Sequence, residues 1–351
     1  MLRIFAISIV TLAAMLAAAD AAAQAKPVAP PAPPAAPAQQ NTITPPQTPQ
    51  IVRPAYIVKL VATVMDRRHK FVTDLSGSDF KVFEDGHPQS PTLFFRQADL
   101  PLRIGMLLDT SGSIRERLHF EKDAAIDFLY NVIRRGKDQA FLMTFDSHPE
   151  IIQDYTEDLD VLSSVIQQQN AGNGTALDDA VYLASQKLMN APPAAEPTQD
   201  VRRVIVVISD GDDNESEHAR SEAIEIADKA SVSIYSISTN NDWVSLDTPT
   251  PQKLLLTPGD KVLAQYSDET GGRAFFPYRI DDLSQSFLDI GNELRSQYLI
   301  GYPPPYGQPD GQFHTIDVKV ERKGLIVRTR KGYYAIAPPA APAATGATPK
   351  P

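Results

Sequence analysis

The chain has 351 residues, 42% of them hydrophobic and 22% charged, a composition typical of a soluble globular protein. Its length gives room for about two domains. It contains no cysteine, which excludes disulfide bridges, thiol nucleophiles and Cys-ligated zinc or iron–sulfur sites. The formal net charge of -10 argues against a general nucleic-acid-binding protein, because such a protein needs a basic surface to neutralise phosphates.

Both ends of the chain are predicted to lie outside the folded body. Residues 1–23 combine Arg3, an apolar run over 4–19 and small residues at a cleavage position, as in a secretory signal peptide. An uncleaved anchor is the alternative. Residues 24–50 and 338–351 are rich in Pro and Ala, so we expect a disordered spacer and a disordered tail. Cleavage would leave an exported protein, periplasmic or extracellular, with no membrane span.

The folded body is predicted to begin with a small β unit at residues 51–100. Runs rich in β-branched and aromatic residues predict its strands at Tyr56–Val64, Phe80–Phe83 and Leu93–Phe95. Strand-like runs return at residues 296–337, namely Gln297–Tyr302, Thr315–Glu321 and Leu325–Thr329. We expect these C-terminal strands to pack beside the N-terminal ones, because both groups flank one α/β domain.

That central domain is predicted to cover residues 101–295. Short, almost continuous apolar runs are typical of strands covered on both faces of a parallel sheet, and they occur at Leu102–Leu108, Ala140–Phe145, Val204–Ile208 and Val232–Ile237. Apolar residues spaced by three or four predict helices at Leu118–Val132, Leu177–Leu188, Ala219–Ala230 and Ser284–Leu294. This alternation predicts an α/β fold, a Rossmann-like doubly wound domain with a mostly parallel sheet.

Oxygen-bearing side chains follow two of the predicted strands, at the sheet edge where open α/β domains bind ligands. They are Asp109, Ser111 and Ser113 after the first core strand and Asp210 after the third, with Thr175 at a loop-to-helix junction between them. Two carboxylates and three hydroxyls suit Mg²⁺, Mn²⁺ or Ca²⁺ rather than zinc or copper. The pattern predicts a divalent cation site, with Mg²⁺ favoured; an Asp/Ser turn beside a helix cap is the alternative.

The order and spacing of these five residues resemble the metal-ion-dependent adhesion site (MIDAS) of von Willebrand factor type A (VWA) domains. The resemblance covers about residues 102–295. Further segments are similar to the VWA-related proteins of Acidobacteria. One lies near the end of this range, Glu269–Phe276, and others lie outside it, at Asp79–Gly86, Gln297–Tyr302 and Arg330–Tyr334. Membership of this family implies a Rossmann-like fold, a bound divalent cation and protein–protein binding.

The leading hypothesis is therefore an exported, non-enzymatic binding module. Its cation would capture a carboxylate of another protein or of a surface polymer, in adhesion or as a scaffold. The sequence has no Ser-His-Asp order, HExxH, Gly-x-Ser-x-Gly or phosphate-loop motif. A metal-assisted hydrolase and a structural envelope protein stabilised by its cation are the alternatives.

Other polar and aromatic residues are interpreted as structural. The acidic loop 212–215 is expected to be solvated, with a second cation site or a partner-selecting rim as the alternative. Asp178 and Asp179 are expected to stabilise the N-terminus of a helix. Trp243 lies in an insertion at 240–259, where it packs the loop down or anchors a partner. The six histidines are scattered and offer no catalytic dyad.

Overall fold

The computed structural model describes residues 56–96, 100–196, 200–240, 256–277 and 280–336. All of these described residues belong to one compact unit. The predicted signal peptide, spacer and tail lie outside the described residues, and so does Trp243. Within the described ranges, no helix is both long enough and apolar enough to cross a bilayer.

The described residues form fourteen strands and six α-helices. The strands are β1 (Val58–Asp66), β2 (Phe80–Glu84), β3 (His87–Gln89), β4 (Leu93–Arg96), β5 (Leu102–Asp109), β6 (Gln139–Phe145), β7 (Pro149–Thr156), β8 (Arg202–Ser209), β9 (Val232–Ser238), β10 (Ala274–Phe275), β11 (Tyr298–Tyr302), β12 (Phe313–Val320), β13 (Leu325–Arg328) and β14 (Gly332–Tyr334). The helices are α1 (Leu118–Val132), α2 (Leu159–Gln167), α3 (Leu177–Met189), α4 (Arg220–Lys229), α5 (Pro258–Thr270) and α6 (Ile280–Leu294).

A six-stranded sheet of order β10-β9-β8-β5-β6-β7 forms the α/β domain, and only the β6–β7 pair is antiparallel. Every residue of β5 is buried. Ile104 and Met106 pack under α1, α2 and α6 on one face, whereas Leu107 packs under α3, α4 and α5 on the other. Because both faces are covered, β5 and β8 are apolar in their interior and carry polar residues only near their ends. The predicted fold class is confirmed.

The remaining strands form two antiparallel four-stranded sheets, β13-β1-β11-β4 and β14-β12-β2-β3. One hydrophobic cluster contains buried side chains of both sheets, among them Leu60, Val82, Ile300 and Val318. We call these two sheets the β sandwich. Since β1 pairs with β11 and β2 pairs with β12, strands from both ends of the folded body build it together, as predicted.

Four elements of the α/β domain were not predicted, one of which is the two-residue strand β10. The edge strand β7 contains half-buried and exposed residues, so it shows no continuous apolar run. The short helix α2 lies between it and the next loop, capped by Asp158. Helix α5 begins at Pro258, inside the expected insertion, with Thr257 Oγ1 accepting the Asp260 N–H. A capping threonine followed by proline is a helix-start signal that apolar periodicity alone does not detect.

A buried carboxylate joins the β sandwich to the α/β domain. Oε1 of Glu293, on α6, accepts hydrogen bonds from Tyr235 of β9 (2.9 Å) and from Thr63 of β1 (3.1 Å). The Arg328 guanidinium, on β13, pairs with the same oxygen. Gln297 completes the network by donating to Thr63 Oγ1 at 2.7 Å and to Tyr235 Oη at 3.0 Å. The charge of Glu293 is therefore shared by elements of both parts of the molecule.

Replacing this carboxylate should destabilise the whole body. Glu293→Ala leaves the Arg328 charge and several buried donors without their acceptor, so we expect the free energy of unfolding to fall by about 3–5 kcal/mol. Denaturant unfolding followed by circular dichroism measures this loss. Gln285→Ala, at an exposed position of the same helix, is the control and should change the free energy by less than about 0.5 kcal/mol. A loss below about 1 kcal/mol in the Glu293 variant would contradict the assigned role.

Candidate metal centre

The two predicted carboxylate ligands follow neighbouring parallel strands. Asp109 is the last residue of β5, and Asp210 comes directly after β8, which pairs with β5 along its length. Both side chains are buried, Asp109 completely and Asp210 with 6% exposed. Parallel strands bring their carboxyl ends to one edge of a sheet, so the fold places these acids side by side.

Hydrogen bonds connect four of the five predicted ligand residues. Oδ1 of Asp109 accepts the Ser111 N–H at 2.8 Å, which turns the loop back over the strand end. The Ser111 and Ser113 hydroxyls lie 3.0 Å apart, and the Ser113 hydroxyl donates to Oδ2 of Asp210 at 2.6 Å. The structure therefore gathers two carboxylates and two hydroxyls in one small volume.

The fifth predicted residue, Thr175, is buried on the adjacent loop that leads into α3. Two backbone hydrogen bonds hold this loop against the first one: Gly112 N–H donates to the Asn173 carbonyl at 2.9 Å, and Gly172 N–H to the Thr110 carbonyl at 2.5 Å. Thr175 is thus beside the other four residues through its loop, although no hydrogen bond links its hydroxyl to them.

Two residues that sequence reasoning did not assign hold the site in place. Ser209 donates its hydroxyl to Oδ2 of Asp109 at 2.6 Å, so both carboxylate oxygens of Asp109 are fixed. Asn214 Oδ1 accepts the Thr175 N–H at 2.9 Å, and the Asn214 N–H donates back to the Thr175 carbonyl at 3.0 Å. Neither role leaves a motif in the sequence, because each depends on which loop lies opposite.

The acidic loop beside the site is bonded to its neighbours rather than simply solvated. Oδ2 of Asp213 accepts the Asp178 N–H at 2.7 Å and the Ser216 hydroxyl at 2.6 Å, so it caps the start of α3. Asp179 accepts the backbone N–H of His218 at 2.9 Å, and its carboxylate lies 2.7 Å from Nδ1 of the same histidine. Asp178 accepts the Tyr266 hydroxyl at 2.5 Å. These acids position loops and helices.

Negative charge accumulates at this edge of the sheet. Burial raises the pKa of Asp109 to about 7 and the Asp210 carboxylate adds to the rise, although hydrogen bonds from Ser209 and Ser111 oppose it. Burial also raises the pKa of Glu121, on α1, well above its usual range, with Asp109 and Asp210 contributing. The pKa of Asp212 is raised by burial and then by Asp210. The Asp210 carboxylate therefore destabilises the charged forms of three neighbouring acids.

The donor set fits a hard divalent cation. Neither Asp109 nor Asp210 forms an ion pair with a described Lys, Arg or His side chain, so the charge of both carboxylates is uncompensated by protein groups. Their oxygens and the serine hydroxyls are the ligand types that Mg²⁺ and Ca²⁺ prefer. With no thiolate or imidazole among them, the set is a poor match for soft metals.

A mostly parallel α/β sheet with polar loops at its carboxyl edge defines an open α/β domain of the ligand-binding kind. Residues 104–212, which span β5 to β8 and both polar loops, match the von Willebrand factor type A domain family. This part of the chain is a VWA domain.

Solved structures resemble this one over part of its length. A von Willebrand factor type A protein from Catenulispora acidiphila shares 11% identity, with 73% of each chain covered and a TM-score of 0.46. An aerotolerance-related membrane protein from Bacteroides fragilis shares 17% identity over 55% of this chain and 98% of its own, with a TM-score of 0.42. Proximal thread matrix protein 1 from the mussel byssus, solved with a zinc-occupied MIDAS motif, shares 17% identity over 60% of this chain and 49% of its own, with a TM-score of 0.43. No curated protein matches the sequence.

Two glycines fix the backbone that carries Asp210. Gly211 has a left-handed backbone, with a φ of +79°, and a Cβ there would lie 2.2 Å from the Gly259 carbonyl oxygen. A Cβ on Gly259 would lie 2.1 Å from the Asp210 carbonyl oxygen. The loop after β8 and the first turn of α5 therefore touch backbone to backbone, and only glycine allows that approach.

Gly211→Ala should cost more stability than the same change at Gly136. Both glycines are left-handed, with φ of +79° and +74°, but the space around Gly136 is open. Each substitution carries a conformational cost of about 1–2 kcal/mol, and overpacking at Gly211 should add about 1–3 kcal/mol. Denaturant unfolding of the two variants isolates the second cost. Equal losses would show that the α5 contact does not constrain this loop.

Proposed function

We propose that this chain is an exported binding module that holds one divalent cation, Mg²⁺ in the first place, through Asp109, Ser111, Ser113, Thr175 and Asp210. The cation in turn binds a carboxylate of another protein or of a surface polymer. The observation that carries the proposal is the hydrogen-bonded cluster of Asp109, Ser111, Ser113 and Asp210 at the carboxyl edge of a VWA sheet.

The charge balance of the cluster supports a cation. The Asp210 carboxylate adds to the cost of ionising the buried Asp109, and a dication would offset that repulsion directly. The hydroxyl ligands are neutral, so the only negative charges that the ligand set offers a dication are those of Asp109 and Asp210. Mg²⁺ takes near-octahedral oxygen ligands and usually keeps several waters. An external carboxylate can replace one such water.

The proposal of a binding role rather than catalysis rests on the side chains near the cluster. The side chains that contact the cluster or its loops include Ser209 and Asn214, and neither is a catalytic base. His218 is hydrogen-bonded to Asp179, in the first turn of α3. Export rests on residues 1–23, whose pattern is that of a signal peptide. Adhesion and scaffolding are the roles that such a module would serve.

Removing the charge of Asp109 should abolish cation binding. Asp109→Asn keeps an oxygen that can accept the Ser111 N–H, so the loop retains most of its support while the ligand loses its charge. Loss of an outer-sphere partner alone costs about 10–100-fold in metal affinity, so we expect a loss of at least ~100-fold here. Isothermal titration of Mg²⁺, Mn²⁺ and Ca²⁺ into the chelator-stripped full chain measures it.

Asp213→Asn is the control for this titration, because that acid caps α3 and is not in the proposed ligand set. It should bind the cation with affinity close to that of the parent. Capture of a carboxylate is then tested with immobilised chain and poly-glutamate, with poly-glutamine of equal length as the matched probe. The proposal is supported if the chain binds poly-glutamate but not poly-glutamine, and if this binding is lost with chelator and in Asp109→Asn. Cation binding without such capture contradicts the binding role.

The residue that orients Asp109 gives a second prediction. Ser209→Ala removes the hydroxyl that fixes Oδ2 of Asp109, so cation affinity should fall roughly 10–100-fold. Ser238 is the matched control: it pairs with Ser209 across β8 and β9, and its hydroxyl donates to Asp260 instead, at 2.5 Å. Titration of Ser238→Ala should give nearly parental affinity. Equal losses in both variants would mean that the effect comes from strand packing.

A further inference from the structure

A second polar cluster lies in the β sandwich, remote in sequence from the VWA loops. It comprises Glu84 at the end of β2, Asp85 in the β2–β3 turn and His314 on β12. One ligand atom from each residue lies within 4.8 Å of the other two. The register of β2 against β12, which pairs Glu84 with Ile316, brings these distant segments together.

Glu84 offers one committed and one uncommitted carboxylate oxygen. Its side chain is only 3% exposed. The hydroxyls of Tyr302 and Tyr333 both donate to Oε2, the second at 3.2 Å. Oε1 accepts no hydrogen bond from any described residue and lies 3.5 Å from Nδ1 of His314. The 3.5 Å between this oxygen and the imidazole nitrogen matches the separation of two ligands of one metal ion, each about 2.0–2.2 Å from it.

Asp85 presents its second oxygen to the same point. Its Oδ1 is fixed by the N–H of Thr315 at 2.8 Å and by the Thr315 hydroxyl at 3.0 Å. Its Oδ2 forms a hydrogen bond of 2.7 Å with Nδ1 of His314, and this is the oxygen that a metal would take over. The backbone of Asp85 is left-handed, with a φ of +48°, and Gly86 follows at +78°. This tight turn holds the carboxylate over β12.

The opposite nitrogen of His314 has its own carboxylate. Nε2 lies 3.2 Å and 3.3 Å from the two oxygens of Asp310, and Oδ1 of Asp310 is also fixed by the Gln312 N–H at 2.9 Å. Tyr306 stacks on the imidazole ring, with centroids 4.7 Å apart. Asp310 can accept the Nε2–H, and Nδ1 becomes a metal ligand when a metal ion replaces the proton of its hydrogen bond to Asp85. A carboxylate on the opposite nitrogen is how proteins orient metal-binding histidines.

We propose that Glu84 Oε1, Asp85 Oδ2 and His314 Nδ1 form a second metal site, for a transition-metal dication of the zinc type, with Asp310 as the residue that positions His314. One imidazole and two carboxylates balance the charge of a dication. Nitrogen in the donor set favours zinc, nickel or copper over the Mg²⁺ expected at the VWA loops.

The site is open enough to be loaded from solution. Of the three proposed ligands, Glu84 is 3%, His314 11% and Asp85 46% exposed, so the site is open to solvent on the Asp85 side. A metal there would leave a coordination position for water. It would also connect the β2–β3 hairpin to β12, so we expect it to stabilise the sandwich.

The experiment uses the full chain carrying Asp109→Asn, so that the VWA site does not contribute. After stripping with chelator, Zn²⁺ is titrated by calorimetry and Co²⁺ by visible absorption. We expect one equivalent of each ion, and His314→Ala should weaken binding by at least ~10-fold. His87→Ala is the matched control, because His87 is an exposed residue of the same hairpin; its affinity should be unchanged. The intense visible band of four-coordinate Co²⁺ should disappear with His314.

A second variant separates ligand loss from loss of structure. Asp85→Asn can keep the Thr315 bonds through Oδ1, and asparagine tolerates a positive φ, yet it lacks the charged second oxygen. It should fold normally by circular dichroism and lose Zn²⁺ like His314→Ala. Zn²⁺ binding retained by both variants, or absent from the Asp109→Asn chain, overturns the proposal. Binding present in the parent and lost with Asp109→Asn alone assigns the ion to the VWA site and leaves the proposed function standing.

Proton occupancy of the imidazole gives the remaining outcome. Burial lowers the pKa of His314, but hydrogen bonds to Asp85 and Asp310 outweigh it and raise the pKa above the ordinary value. Nitrogen-15 NMR distinguishes the two forms directly. A shift of Nδ1 on adding Zn²⁺, with Nε2 still protonated, is the expected result; an imidazolium protonated on both nitrogens at saturating Zn²⁺ overturns the proposal.

Discussion

The buried charge of Glu293 is the constraint on which the relation between the two halves of the folded body depends. A carboxylate removed from water is costly unless donors surround it, and here the donors come from β1, β9 and β13. Moving the sandwich away from the α/β sheet would therefore remove two partners of the Glu293 carboxylate at once, the Thr63 hydroxyl and the Arg328 guanidinium. Because α6 ends at Leu294 and β11 begins at Tyr298, the same carboxylate also fixes where the chain leaves one part and enters the other.

A second constraint, the parallel sheet, places the cation site. Strands that run in one direction end at one edge, so residues 109 and 210 meet without any local signal between them. The loops are then held by backbone bonds, between Gly112 and Asn173 and between Gly172 and Thr110. The side chains of the site are presented by bonded loops, and the close contact of Gly211 with Gly259 fixes the loop after β8. We therefore expect cation affinity at this candidate site to depend on the rigidity of its backbone.

Sequence patterns predicted the parts of the fold that burial on both faces imposes. Core strands such as β5 and β8 are continuously apolar in their interior, so they stand out, whereas β7 is half-exposed and does not. Four of the five candidate ligands could be named because they follow strand ends, and Thr175 because it stands at a loop-to-helix junction between them. The roles of Ser209 and Asn214 could not, since each depends on a hydrogen bond to a loop 100 or 39 positions away.

The His314 cluster shows the same limit more sharply. Asp85 and His314 are separated by 229 positions, and only the pairing of β2 with β12 makes them neighbours. In the sequence, Glu84 and Asp85 signal nothing more than a turn. The two candidate sites also differ in donor chemistry: the VWA loops offer oxygen alone, and the sandwich adds an imidazole nitrogen. Hard cations are favoured by the first set and borderline ones by the second. We therefore expect the two proposed sites to prefer different classes of ion.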